Sequence, residues 1–266
     1  MKEYLQNIAH SMICLSKNLS DSCINEFAKG AKLPIVETCN HDEKQDLLIR
    51  GITQAKLIKF RLESKLDFFY IDTGYYGNYP CEVNPHGYKI FHRIVKNNLQ
   101  HLEIRDRPDD RFKLFKFKLE KWKDGKHILL VPPSKKTCDF YNVNYSDWIN
   151  DTILEIKKYT DRPVKIRLKQ SRKDRIKNTI FKDLKDAHAT VTYNSIAAVE
   201  SIFYGVPAIT LGPSAADPVS EKSINNIENI RKCDNDLRHQ WACHLAYGQY
   251  HIDEFKSGKA YKLIYE

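Results

Sequence analysis

The sequence lacks the features that mark membrane proteins, exported proteins and repeat proteins. No run approaches the roughly 18 apolar residues that a membrane-spanning helix needs. The polar N-terminus, MKEYLQNIAHSMICLSKNLSD, lacks the apolar block of a secretory signal, and no internal repeat or low-complexity stretch is found. We therefore expect a cytoplasmic protein without a membrane partner. The sequence leaves its oligomeric state open.

Cysteines at metal-ligand or redox spacing are also missing. The seven cysteines are scattered, and none forms a C-x-x-C pair. In a chain without an export signal this pattern predicts free thiols in a reducing compartment. Cys39, His41 and Asp42 are a conceivable zinc set, but the tight ligand spacing of such sites is absent. The sequence thus predicts no resident metal or cofactor.

Positive charge is in excess. The chain has 43 Lys and Arg against 34 Asp and Glu, a net charge of +9. An excess of this size favours a polyanionic partner such as nucleic acid, nucleotide phosphates or an acidic glycan. A solvated basic surface is equally compatible with the charge alone.

The order of apolar runs and amphipathic stretches predicts an α/β protein. In the first part we expect helices over residues 2–30 and 43–60, the latter from apolar residues at Leu47, Ile52 and Ile58. Strands are expected over residues 33–38 and 67–72, the second running into the turn-rich segment TGYYGNYP.

From residue 126 the alternation is clearer. Short connections between its strands predict a parallel sheet with right-handed crossovers. Ligands of such sheets bind at the carboxyl ends of the strands. We place a lobe boundary near Lys123, with lobes over 1–123 and 124–235 and a helical segment over 236–266 that packs back across them. The predicted strands cover 126–131, 164–168, 189–192 and 207–211, and the helices 147–159, 176–184 and 195–204.

The segment TYNSIAAVESIFYGVPA carries the strongest chemical signal. A strand ends at Thr192, and Asn194 or Ser195 is expected to cap the next helix, whose first amides then form an anion site with the Tyr193 turn. Glu200 lies about a turn and a half along that helix, where a carboxylate can accept hydrogen bonds from ribose hydroxyls. The alternative is an ordinary capped helix with a solvated Glu200.

Polar and basic residues follow the other predicted strands of this lobe. Each is by itself typical of a turn. Together they can line an anionic ligand, with hydroxyls and charges near phosphates and a close backbone approach at the glycine. These candidate residues are Ser134, Lys135, Lys169, Arg172, Gly212 and Ser214.

The same residues resemble the nucleotide-sugar half of GT-B glycosyltransferases. The pattern Asn194, Ser195, Glu200, Gly205 and Pro207, followed by ITLG, is similar to the branch that includes the capsule Kdo-transferases, across residues 126–212. The resemblance implies two Rossmann-like lobes with parallel sheets, the N-terminal one reduced. It also implies a CMP- or UDP-linked cosubstrate and no obligatory metal. That branch carries K-x-H-P where this chain has RLKQSR at 167–172, so the donor identity stays open.

Asp72 is the candidate catalytic residue. Glycosyl transfer needs a base for the acceptor hydroxyl or a carboxylate facing the anomeric carbon. Asp72 ends the run FFYID, which resembles the E-D-G-F segment of the Kdo-transferases, where an acidic residue serves the reaction. The alternative is a carboxylate that caps a turn.

Basic residues interleaved with aromatics predict an acceptor or nucleic-acid surface, and a helix with a solvated basic face is the alternative. The segments FYIDTGYYGN, HRIVKNNLQ, RPDDR and WACHLAYGQYH resemble small tailed-phage proteins, some linked to sugar addition on hydroxymethylated cytosine. That resemblance implies a UDP-sugar, double-stranded DNA and the host cytoplasm. The candidates are Tyr75, Tyr76, His92, Arg93, Lys96, Arg105, Arg107 and Arg111.

Three functions therefore compete. The first is a DNA-modifying glycosyltransferase with a UDP-sugar, and the second is a surface-glycan transferase that moves Kdo or a related acid from a CMP-sugar. The third is a non-catalytic α/β binding protein, which predicts no response to nucleotides.

Overall fold

The computed structural model describes residues 12–265, apart from the side chains of Arg172, Lys173 and Arg175. Two compact units are formed, one by the described residues up to Asp72 with His92–Leu99 and those from Tyr250, the other by Thr73–Phe91 and Gln100–Gln249. In the part of the chain described, no helix has the length and apolarity to cross a bilayer. The strands are β1 (Met12–Leu15), β2 (Ile35–Val36), β3 (Asp46–Arg50), β4 (Phe69–Thr73), β5 (Phe91–Lys96), β6 (His127–Val131), β7 (Val164–Ile166), β8 (Ala187–Thr192), β9 (Ala208–Thr210) and β10 (Gln249–His251).

The helices vary from one turn to about four turns. They are α1 (Ser22–Ala31), α2 (Ala55–Glu63), α3 (Asp110–Leu114), α4 (Lys135–Tyr141), α5 (Tyr145–Lys157), α6 (Arg172–Lys177), α7 (Phe181–Leu184), α8 (Ala197–Phe203), α9 (Asn235–Tyr247), α10 (Ile252–Lys256) and α11 (Lys259–Leu263).

The first unit is built on a six-stranded sheet in the order β10-β5-β4-β3-β1-β2. Strands β2, β1, β3 and β4 are parallel neighbours. Their apolar side chains pack against α1 and α10, where Phe27 meets Phe255 edge to face at 5.2 Å. Helix α1 begins at the N-cap Asp21, whose carboxylate accepts the Cys23 N–H at 2.9 Å.

The two helices predicted in this unit, over residues 2–30 and 43–60, are right only in their later parts, which form α1 and α2. Residues 46–50 form the strand β3, and the helix starts only at Ala55. Leu47, Leu48 and Ile49 are all fully buried, which a parallel strand covered on both faces allows and one face of a helix does not. Met12–Leu15 is also a strand, whereas residues 2–11 of that predicted helix lie outside the described residues.

The second unit contains the sheet that the sequence predicted. Its order is β7-β6-β8-β9, and all neighbours are parallel. Ile128, Leu130, Val191 and Ile209 form its fully buried centre. The chain passes from β6 outward to β7 and then returns to the other side of β6 for β8. This reversal makes a topological switch point between β6 and β8, the usual ligand position in such sheets. The predicted α/β fold with two sheets rich in parallel strands is confirmed.

The compact units differ from the predicted lobes. The aromatic residues Phe112, Phe115 and Phe117 share one core with Phe203 and Trp241, so the segment before residue 123 belongs to the second unit. The segment predicted as a single C-terminal piece, 236–266, also divides. Helix α9 lies in the second unit, and the chain from Tyr250 lies in the first.

Candidate functional site

The carboxyl ends of β6, β7, β8 and β9 lie on one edge of the second sheet, because these strands are parallel. The segments that leave this edge carry most of the residues predicted to bind a donor. They are Ser134, Lys135, Lys169, Tyr193, Asn194, Ser195 and Gly212.

The turn between β8 and α8 differs in detail from the predicted cap. Helix α8 has seven residues and begins at Ala197. The N-cap is Ile196, without a side-chain cap, and Ser195 precedes it: its Oγ accepts the Ala197 N–H at 3.2 Å and its carbonyl accepts the Ala198 N–H at 3.1 Å. Asn194 takes no part in the cap. Among the described residues no hydrogen bond engages the backbone N–H of Asn194 or Ser195, so the turn, rather than the helix start, offers amides to an anion.

Glu200 is half-buried on α8, beside two tyrosines of the same unit. Burial raises the pKa of Tyr76 to about 12, and the charge of Glu200 contributes to that rise. Tyr76 stacks on Phe203 at 4.1 Å and meets Tyr79 edge to face at 5.0 Å. The sequence analysis grouped Tyr76 with the acceptor residues, whereas the structure places it near Glu200, the residue predicted to bind the ribose.

The glycine at the end of β9 is packed against protein. A Cβ on Gly212 would lie 2.6 Å from Cε1 of Tyr193. The space beside this glycine, which was expected to admit the donor sugar, is therefore filled by the Tyr193 ring. Ser214 is 1% exposed, and its Oγ accepts the Ala216 N–H at 3.2 Å. Its prediction as a donor ligand is corrected, since the hydroxyl is buried in a turn.

The basic and hydroxyl residues at the other strand ends have different roles. Ser134 is the N-cap of α4 and accepts the Thr137 N–H at 3.2 Å. Lys135 and Lys169 are exposed at the predicted edge. The side chain of Arg172 lies outside the described residues.

Two residues at this edge were missed from the sequence. Arg167, directly after β7, forms an ion pair with Asp183. Lys222 Nζ lies 2.6 Å from Asp217 Oδ1 and donates to the Gly212 carbonyl at 3.1 Å. No motif marks Lys222, because it reaches the edge from a loop well beyond β9.

Asp72 is the centre of an ion-pair network in the first unit. Its Oδ1 lies 3.0 Å from Arg50 Nη1, and its Oδ2 accepts the Tyr70 hydroxyl at 2.9 Å. Arg93 Nη2 is 3.8 Å from the same carboxylate, and Arg50 also pairs with Asp21 at 3.1 Å. These cations favour the ionised carboxylate. Sequence reasoning missed Arg50 because the strand it ends was predicted as a helix.

Half of the eight predicted nucleic-acid residues are buried. His92 and Arg93 are 2% and 6% exposed on β5, an inner strand of the first sheet rather than a helix. Tyr75 is buried, with its hydroxyl 2.9 Å from His101 Nδ1. Arg111 is buried and donates to the carbonyls of Ala246 and Gln249. Their prediction as phosphate contacts is therefore corrected.

Lys96, Arg105, Arg107 and Tyr76 retain some exposure. Lys96 pairs with Asp67 at 3.2 Å. Arg105 and Arg107 form no ion pair with any described residue.

Metal ligands are not grouped in this structure. Within residues 12–265 no set of three or more His, Cys, Asp or Glu side chains is placed to hold a metal ion. None of the seven cysteines, all of which lie within the described residues, forms a disulfide bond.

Comparison with known proteins supports the architecture. No protein-family model matches the chain, and no curated protein matches it either. The solved β-Kdo 2,4 transferase of KpsC from Thermosulfurimonas dismutans does, with a TM-score of 0.54 and 10% identity over 88% of this chain and 90% of that chain. The fold is GT-B-like. The β-Kdo 2,7 transferase of KpsC from the same organism matches at a TM-score of 0.53 and 11% identity, over 94% of this chain and 99% of that one. At such identities the likeness concerns the fold.

Proposed function

We propose that this GT-B-like protein is a glycosyltransferase that moves a sugar from a nucleotide-sugar to a hydroxyl acceptor. The observation that carries the proposal is the switch point between β6 and β8, where the turn after β8 presents two backbone N–H groups that no described residue engages in a hydrogen bond. Such amides bind phosphate oxygens well. The two solved structures of similar fold are both described as Kdo transferases, which supports this choice among the functions that the fold class hosts.

Within this proposal each donor group has a protein partner. The phosphate lies at the amides of Asn194 and Ser195, with the exposed amines of Lys135 and Lys169 on neighbouring strand ends. The ribose hydroxyls donate to Glu200, whose partly buried position strengthens charge-assisted hydrogen bonds.

The nucleotide is either CMP or UDP. The names of the similar structures favour Kdo as the sugar. The sequence resemblance to Kdo-transferases implies a CMP-linked donor for it, whereas a UDP-sugar goes with the predicted DNA acceptor. A thermal-shift panel of CMP-, UDP- and GDP-sugars tests both. A ligand at 100 times its dissociation constant stabilises by about 2.7 kcal/mol, so the true donor raises the melting temperature clearly. If none of them does, the non-catalytic binder is the better description.

For Asp72 we propose a carboxylate role at the anomeric centre. A carboxylate paired with Arg50 and bonded by Tyr70 stays ionised and is a weak proton acceptor. Stabilising or attacking a developing cation suits it better than removing the acceptor proton.

Double-stranded DNA remains a prediction for the acceptor. Arg93 and Arg111, two of its expected contacts, are buried in packing, and the net charge of +9 is its main support. A gel-shift assay on duplex DNA at about 50 mM salt tests it, because phosphate contacts give binding that falls steeply with salt. Absence of binding would remove DNA as the acceptor.

A further inference from the structure

A basic cluster of Arg105, Arg107 and His244 lies at the end of helix α9 in the second unit. The Arg107 guanidinium is 5.0 Å from the centre of the Tyr247 ring, and the His244 ring lies edge to face with His101 at 5.2 Å. Both His244 and Tyr247 belong to the last turn of α9. One cation of the cluster, the Arg107 guanidinium, therefore lies over an aromatic ring.

The donors of this cluster are not used by the protein. Arg105 and Arg107 make neither an ion pair nor a hydrogen bond with any described residue. Arg107 Nε and His244 Nδ1 are both buried without a hydrogen-bond partner in that part of the chain. Buried polar groups are nearly always satisfied in native proteins, so two unpartnered atoms in this cluster require an explanation.

Arg111 shows what a purely structural arginine does at the same helix end. Its Nε donates to the Ala246 carbonyl at 3.1 Å, and its Nη2 donates to the Gln249 carbonyl at 2.9 Å. It therefore satisfies the carbonyls that the end of α9 leaves open. Arg107, over the ring of the same Tyr247, has no such task.

Among the described residues no carboxylate forms an ion pair with Arg105 or Arg107. Asp109 pairs with Lys113 at 2.8 Å, and Asp110 accepts the Tyr247 hydroxyl at 2.7 Å. Burial, together with repulsion from Arg107 and Arg105, lowers the pKa of His244 to about 4. Both guanidiniums therefore act on the imidazole, which is neutral at physiological pH.

We propose that Arg105 and Arg107 bind one oxyanion, a carboxylate or a phosphate monoester carried by the acceptor. Planar guanidinium forks match both groups in geometry. Two cations that lie two residues apart in the chain, one of them partly buried, suit a single anion, whereas a nucleic-acid backbone needs a row of exposed cations. The assignment to the acceptor rests on the proposed transferase function, but the anion site itself does not.

The test titrates the protein separately with inorganic phosphate and with glucuronate, as probes of the two anions. The local readout is the NMR signal of the His244 imidazole, identified by its loss in His244→Gln. At least one probe is expected to shift it in a saturable way, and which probe binds more tightly tells phosphate from carboxylate. If neither probe moves this signal, the proposal is overturned.

Variants separate the cluster from other anion sites. Arg105→Gln changes an exposed side chain and leaves the fold intact. We expect it to raise, at least tenfold, the concentration of phosphate or glucuronate that produces half of the maximal shift of the His244 signal. Arg107→Lys keeps the charge but loses the fork and should weaken binding by several-fold. The matched control Arg231→Gln removes an exposed arginine of the same unit and should leave the titration unchanged.

Wild-type affinity in both Arg105→Gln and Arg107→Lys would overturn the site. Nucleotide-sugar thermal shifts, measured on the same proteins, report on the transferase proposal separately. If the protein binds the anion but no nucleotide-sugar, the anion site is supported and the proposed transferase function is contradicted.

Discussion

The ring of Tyr193 rests directly on Gly212. A Cβ at position 212 would lie 2.6 Å from Tyr193 Cε1, and the Gly212 N–H donates to the Tyr193 carbonyl at 2.8 Å. The turn after β8 and the turn after β9 are thereby joined at the edge where we place the donor. Their conformations depend on each other.

Gly212→Ala should therefore disturb both turns. The methyl group displaces the Tyr193 ring, and we expect a loss of about 1–3 kcal/mol in unfolding free energy together with weaker donor binding. Chemical denaturation and nucleotide thermal shifts measure the two effects. The double variant Gly212→Ala with Tyr193→Ala removes the clash and should recover part of the stability. Equal stability of Gly212→Ala and wild type would contradict the contact.

Glu200→Gln tests the ribose ligand. Loss of charged hydrogen bonds should weaken donor binding by about 1–3 kcal/mol, with little change in melting temperature without ligand. Glu155→Gln on α5, a partly exposed glutamate paired with Lys158, is the matched control and should bind the donor normally. Undiminished donor affinity in Glu200→Gln would exclude the role.

Asp72→Asn tests the catalytic carboxylate. The amide keeps the shape but not the charge, so turnover should fall by orders of magnitude while nucleotide-sugar binding persists. Asp21→Asn removes a charge from the other partner of Arg50 and retains a capping side chain for α1. We expect that control to keep most of its turnover. Normal rates in Asp72→Asn would remove Asp72 from the reaction.

Arg111→Met tests the structural role of the buried arginine. Two backbone carbonyls lose their charged donor, and we expect a destabilisation of about 2–3 kcal/mol in denaturant unfolding. Arg105→Met, at an exposed position, should change the unfolding free energy by less than about 0.5 kcal/mol. Similar effects of the two substitutions would argue against this difference in role.

The pH dependence of stability should report on His244. Its pKa is lowered by burial, and further by Arg107 and Arg105, from 6.5 to about 4. Below pH 6.5 the unfolded chain gains a proton that the folded chain does not. The unfolding free energy should therefore fall as the pH decreases from 6.5 to 4, by at most about 3 kcal/mol from this group. Denaturation of His244→Gln over the same range should show a correspondingly smaller slope, and identical slopes would refute the assignment.

The sequence by itself predicted the second sheet well. Short apolar runs such as residues 126–131, separated by helical spacing and turn residues, specify strands and helices through local contacts. The same reasoning failed at Leu47–Ile49, because Leu47, Ile52 and Ile58 also fit the apolar spacing of a helix. Pairing with the neighbouring strands β1 and β4 makes this segment a β-strand rather than a helix.

Side-chain roles were decided by tertiary structure. Arg107 and Arg111 are equivalent in sequence, four residues apart among aromatics, yet Arg111 bonds a carbonyl 138 residues away and Arg107 bonds none in the described chain. Asp72 likewise depends on Arg50, which lies 22 residues earlier. Local pattern determines where strands end and which polar residues follow them. Whether a charge then meets solvent, a carbonyl or a ligand depends on segments that only folding brings together.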